Sequence, residues 1–152
     1  MIAIMDTPAY WAFCWASGQV LGRYILTHPV EFKDKVILDF GTGSGVVAIA
    51  AKLAGAKRAI ACDIDPDALD ASAANAKLNG VSIELLDDIH NLQVDPDLII
   101  AADVLYDRDN FPWIQSLPTL AQNILIADSR VDTGQLPGYQ IIGRITATTI
   151  PD

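Results

Sequence analysis

The stretch "VILDFGTGSGVVAIAAKLAGA", residues 36–56, decides how the rest of the chain is read. "VILDFG" (36–41) has the continuous apolar character of a buried strand. Glycines follow at 41, 43 and 45, and then "GVVAIAAKLAGA" reads as a helix with Gly55 in the position of a C-terminal cap. Strand, glycine turn and helix together open an α/β unit. Gly41, Gly43 and Gly45 let the main chain turn tightly and let a ligand approach it. They do so at a helix N-terminus, which favours a carboxylate or a phosphate.

The same alternation continues downstream. "RAIACDID" (58–65) is a second strand, and "DPDALDASAANAKLNG" a helix with Asp65 as N-cap, Pro66 at its first position and Gly80 past its end. "VSIELL" (81–86) is a third strand and Leu98 to Ala102 a fourth. "NFPWIQSLPTLAQN" (110–123) reads as a helix that Pro118 must kink or end. "ILIADS" (124–129) is a fifth strand and "YQIIGRITATTI" (139–150) a final β-rich run. Continuous apolar strands alternating with helices predict a doubly wound, mostly parallel α/β sheet covered on both faces, within one domain over 1–152. Its parts are an N-terminal flanking segment (1–30), a core (36–130) and a C-terminal strand (139–150). Ligands of such sheets bind beyond the carboxyl ends of the strands. "DFGTGSG", "CDID", "LLDD" and "ADVLYD" all fall there.

Composition narrows the function classes. The 152 residues carry a formal charge of −9 with no Lys/Arg cluster, which argues against nucleic acid as a partner. No apolar run approaches a membrane span, and no basic residue precedes Arg23, as a signal peptide would require. Cys14 and Cys62 have neither metal nor disulfide spacing, so they read as core filler in a reducing cytoplasm. His28 and His90 are isolated, and no cluster is expected to hold a metal.

Asp63 ends the second strand, where a carboxylate can accept hydrogen bonds from both hydroxyls of a ribose. Asp65 has the plainer role of helix cap. Nicotinamide and adenosylmethionine cofactors both suit this much. The dinucleotide fingerprint is G-x-G-x-x-G, however, whereas the spacing here is G-x-G-x-G with Asp39 just before it. An oxidoreductase is further disfavoured by the lack of a Tyr-x-x-x-Lys pair or a positioned histidine.

"VILDFGTGSG", "ACDIDPDAL", "NAKLNG" and "DLIIAADVLYD" together resemble the class I, seven-β-strand methyltransferases that use S-adenosylmethionine. The D-x-x-Y pair, Asp103 and Tyr106, resembles the post-strand-four signature of the branch with many protein lysine methyltransferases. Within it, "PAYWAFCWASGQVLGRYILTHP" is similar to the electron transfer flavoprotein β-subunit lysine methyltransferases. Ribosomal protein L11 methyltransferases share "DIDP" but typically carry an asparagine-centred motif after strand four, which "ADVLYD" is not.

The resemblance implies S-adenosyl-L-methionine as cofactor, S-adenosyl-L-homocysteine as product and a protein lysine as acceptor. Asp39, Gly41, Gly43, Gly45, Asp63 and Ile64 would hold the cofactor, and Asp103 and Tyr106 would line the pocket where the amine meets the methyl. A lysine amine of pKa about 10.4 must lose a proton before it can attack. Asp103 alone favours the charged form, so its role is to position the amine. Either Asp87 or Asp88 could accept from the adenine amine. "YWAFCW" admits two readings: a helical core stripe of Trp11 and Trp15, or an approach to Ser17 as N-cap of a helix from Gly18 to Thr27, which would set Trp15 and Gly18 against the cofactor. The family sheet order is 3-2-1-4-5-7-6, and no seventh strand is visible, so the last strand is expected to be lacking. An unpaired sheet edge invites a homodimer.

Overall fold

The computed structural model describes residues 9–106, 108–129 and 136–149. Five strands form one parallel sheet: β1 (Val36–Phe40), β2 (Arg58–Cys62), β3 (Glu84–Leu86), β4 (Leu98–Ala102) and β5 (Ile124–Ala127). The spatial order is β3-β2-β1-β4-β5, which follows 3-2-1-4-5 of the expected order. Neighbours in space that are not neighbours in sequence meet at β1 and β4, where Asp39 pairs with Ile100. The strand order reverses there, so the site belongs beyond the carboxyl ends of these two strands.

The helices are α1 (Ala16–Thr27), α2 (Val46–Leu53), α3 (Pro66–Leu78) and α4 (Phe111–Ser116). Alternate strand residues enter two cores, because side chains of a strand point to opposite faces. Ile37, Ala59, Ala61 and Ile100 pack with Leu21 and Ile25 of α1 and Val47 and Ala51 of α2. Leu38, Ile60, Cys62, Ile99 and Ala101 pack with Ile114 and Leu117 on the other face. Full burial of an isoleucine contributes roughly 1.5–3 kcal/mol, so Ile37, Ile99 and Ile100 anchor the central strands.

α3 starts as expected, with the Asp65 carboxylate accepting from the Asp67 N–H at 2.9 Å and Pro66 in the first turn. Other boundaries differ. The third strand shortens to Glu84–Leu86. The helix expected over 110–123 ends as α4 at Ser116 and passes into a 3₁₀ turn at Leu117–Thr119. Pro118 has no N–H for the carbonyl of Ile114; the Tyr139 hydroxyl donates to that carbonyl instead, at 2.8 Å. The strand expected over 139–150 is corrected: 139–149 form no regular secondary structure. A strand is defined by its ladder partner, and here Ile141, Ile142 and Ile145 stay exposed.

α1 also begins earlier than expected. Its N-cap is Trp15, with no side-chain cap bond, and Ser17 lies inside the first turn. Ser17 therefore does not cap this helix; its hydroxyl and amide are both turned to Asp103.

Candidate active site

The glycine turn is held from three directions. Gly41 and Thr42 donate their N–H groups to the Cys62 carbonyl at 2.9 and 3.0 Å, which ties the turn to the end of β2. Asp39, only 1% exposed, accepts from the Thr42 hydroxyl at 2.7 Å and the Ala48 N–H at 3.1 Å, tying the turn to α2. From α3, the Ser72 hydroxyl donates to the Gly43 carbonyl at 2.9 Å and the Asn75 amide to the Ser44 carbonyl at 2.8 Å. The α3 face that makes this approach is small: Ala68, Ser72 and Ala76 are its buried residues. Gly45 has φ +83°, and a Cβ there would come within 2.9–3.1 Å of Ser72 atoms, so only glycine fits.

Burial pushes the Asp39 carboxyl up to about 7; the nearby Asp63 charge adds to this, while the bonds from Thr42 and Ala48 oppose it. Burial, with the surrounding carboxylates, likewise pushes the Cys62 thiol up to about 12, so this sulfur is an inert core group. Among the described residues no group of three His, Cys, Asp or Glu could hold a metal ion. No helix there is long and apolar enough to cross a membrane.

Asp63 stands at the end of β2, beside the glycine turn. Its Oδ2 accepts from the Gly43 N–H at 2.9 Å and its Oδ1 from the Asp65 N–H at 3.1 Å. Each oxygen has two lone pairs, so each retains one for a further donor. Ile64 follows it at 91% exposed, an apolar side chain raised from the surface at the mouth. Past β3, the Asp88 carboxylate caps a 3₁₀ turn, accepting from the His90 N–H at 2.9 Å and lying 2.8 Å from His90 Nδ1. Asp87 is exposed just before it.

On the other side of the switch point, Asp103 is 7% exposed and has φ +50°, a left-handed conformation uncommon for a residue other than glycine. Its Oδ1 accepts from the Ser17 hydroxyl (2.7 Å), the Ser129 N–H (3.0 Å) and the Ser129 hydroxyl (2.6 Å). Oδ2 accepts from the Ser17 N–H at 2.9 Å. The carboxylate is thus closed by two serines from distant segments, with capacity left only at Oδ2. Tyr106, 44% exposed, lies with its ring centroid 5.0 Å from that of Tyr10. The segment 9–15 crosses this mouth: the Cα of Trp11 would be 3.8 Å from a Cβ on Gly43, and the Trp15 indole N–H donates to the Tyr10 carbonyl. Gly18 is buried in the first turn of α1, with open space where a side chain would begin.

The structure therefore gathers Asp39, Gly41, Gly43, Gly45 and Asp63 around one turn, and Trp15, Gly18, Asp103 and Tyr106 beside it. Sequence reasoning missed Ser72, Asn75 and Ser129. Ser72 carried a signal, since Ala68, Ser72 and Ala76, spaced four apart, form a stripe of small side chains. Ser129 carried none.

Comparison with known proteins agrees with this fold. The model of the ribosomal protein L11 methyltransferase family (PrmA) matches residues 21–107. The chain belongs to this family. The matched stretch includes the glycine turn and runs through Asp103 and Tyr106. An electron transfer flavoprotein beta subunit lysine methyltransferase of Mus musculus is 46% identical over 127 residues, 78% of this chain and 50% of that protein. The Homo sapiens protein of the same name is 45% identical over 103 residues, 66% of this chain and 39% of its own length. The chain therefore spans half the length, or less, of these relatives. The crystal structure of a ribosomal protein L11 methylase from Lactobacillus delbrueckii subsp. bulgaricus superposes with a TM-score of 0.64 at 30% identity, covering 79% of this chain and 63% of that one. The fold is the Rossmann-like fold of the class I methyltransferases.

Proposed function

We propose that this chain is an S-adenosylmethionine-dependent methyltransferase acting on a protein lysine side chain, with an electron transfer flavoprotein β subunit as acceptor. The observation that carries the reading is the 46% identity to the mouse lysine methyltransferase across the segment holding both the glycine turn and the D-x-x-Y pair.

The residues present suit the cofactor. Asp63 keeps one lone pair on each oxygen for the two ribose hydroxyls, and Ile64 offers an apolar surface next to it for the adenine. Asp87 is the better candidate for the adenine amine, because Asp88 already serves as a cap. Asp39, Gly41, Gly43 and Gly45 form the wall for the amino-acid end, with Trp15 and Gly18 opposite. When bound, the cofactor supplies an electrophilic methyl on a sulfonium. On the acceptor side, Tyr106 lines the approach and Asp103 arranges the amine, while apolar surroundings favour its neutral form. A bound product S-adenosyl-L-homocysteine would occupy the same wall.

The acidic surface supports a protein rather than a nucleic-acid partner, and the two unpaired cysteines support a reducing cytoplasm. The outer edge of β5 supports a homodimer. A second reading, a ribosomal protein as acceptor, is favoured by the family match. A domain that binds the cofactor without transferring a methyl is the third.

Calorimetric titration with S-adenosylmethionine, with NAD as comparison and Asp63→Ala as control, tests the cofactor. Mass spectrometry of the electron transfer flavoprotein β subunit after incubation tests the acceptor, the expected result being a gain of one or more methyl masses on lysine. Binding of NAD instead, or no mass gain, would overturn the respective part.

A further inference from the structure

The Asp103 carboxylate joins three segments: the first turn of α1 through Ser17, 86 residues away; the turn after β4; and the end of β5 through Ser129, 26 residues away. The turn it belongs to is fastened at further points. The Asp103 N–H donates to the Ala127 carbonyl at 2.9 Å, the Leu105 N–H to the Asp128 carboxylate at 3.1 Å, and the Asn110 amide to the Val104 carbonyl at 2.8 Å. Three residues after Asp103 the chain reaches Tyr106, and the same α1 turn is preceded by the segment carrying Tyr10, its ring neighbour. A left-handed aspartate costs of order 1 kcal/mol or more, and it persists only where its surroundings hold it. Here the surroundings are the two serines together with Ala127, Asp128 and Asn110.

We propose that Ser17 and Ser129 are positioning residues of the acceptor side, which act through Asp103 to fix the turn that presents Tyr106 to the incoming amine. This rests on the acceptor-side reading above. Neither serine bonds the glycine turn or Asp63; Ser17 does sit between Trp15 and Gly18, and Val104 of the held turn faces Gly41, so Ser129 is the residue that separates the two halves. Three of the four donors converge on Oδ1, which leaves Asp103 a hinge pin with limited capacity for a ligand of its own.

The test compares the wild type with Ser129→Ala, Ser17→Ala/Ser129→Ala and Ser129→Thr, which keeps the hydroxyl. S-adenosylmethionine affinity is measured by calorimetry, and kcat and acceptor KM with the electron transfer flavoprotein β subunit. In Ser129→Ala the cofactor Kd stays within about twofold, because Ser129 bonds Asp103 and not the glycine turn. In the double variant the two hydroxyl donors are lost and the two backbone N–H donors stay, and transfer falls about 10-fold. Ser129→Thr restores it relative to Ser129→Ala. Unchanged transfer in the double variant, or a parallel loss of cofactor affinity in Ser129→Ala, overturns the proposal.

If the wild type modifies no lysine of that subunit, the acceptor reading fails, and the clasp is then judged by amide hydrogen exchange alone. The expected result is exchange about 10-fold faster at Leu105 and Tyr106 in the double variant, with Gly43 and Ala48 unchanged. Uniform acceleration, or none, counts against it.

Discussion

Asp63 and Asp103 both end a parallel strand at the same rim of the sheet, yet they are used in opposite ways. Asp63 takes two backbone N–H groups, from Gly43 and Asp65, 20 and 2 residues away, and keeps capacity on each oxygen. Asp103 takes four donors from Ser17 and Ser129, 86 and 26 residues away, and is nearly saturated. One carboxylate is shaped by its neighbourhood in the sequence and left open to a ligand. The other is closed by the tertiary fold. The glycine turn is held by partners up to 31 residues away, whereas the Asp103 turn also reaches 86 residues back to Ser17.

The largest expected effect lies on the open side. On the proposed cofactor reading, Asp63→Ala removes two ribose contacts to a charged acceptor, each about 1.5–3 kcal/mol, and S-adenosylmethionine affinity should fall about a thousandfold by calorimetry. The comparison breaks if affinity is kept. On the closed side, Asp103→Ala leaves the amides of Ser17 and Ser129 without their acceptor, and urea unfolding should show a loss of about 3 kcal/mol. Cofactor affinity should change far less than in Asp63→Ala.

Asp39 sharpens the contrast within the cofactor half. Its folded-state carboxyl titrates at about 7, above the ordinary 3.8, so the folded state holds more protons between those values. Its contribution to stability is fully present below about pH 4 and is lost as pH rises toward 7. Asp39→Asn should remove that slope. Unfolding free energies at pH 4.5 and 7.5 should show the variant gaining on the wild type by on the order of 3 kcal/mol. The smallest effect is at Gly45→Ala, where the left-handed backbone and the approach of Ser72 should cost about 1–2 kcal/mol, read as a lower Tm. Adding Ser72→Gly should recover part of it.

This same contrast explains what was legible in the sequence. The glycine turn, Asp63 and the α3 caps depend on residues close in the chain, so spacing alone located them. Strand order followed from the family resemblance and matched. The clasp could not be read, since nothing near Ser129 distinguishes it from an ordinary loop serine, and Ser17 looked like a helix cap. The β-rich run at 139–150 misled for a related reason: strand propensity describes a half-buried surface, and only a partner strand makes it a ladder. Tyr139, at its start, instead supplies the donor that Pro118 lacks.

The clasp also orders events during synthesis. Ser17 leaves the ribosome roughly 5 to 20 seconds before Ser129 at ordinary elongation rates of about 5–20 residues per second. α2 emerges early in that interval and Asp103 late in it, so α1 can lean on α2 well before Ser129 arrives. The segment Tyr10–Ala12, which packs against α3, has its partner before the clasp can close. The acceptor side locks only when β5 arrives.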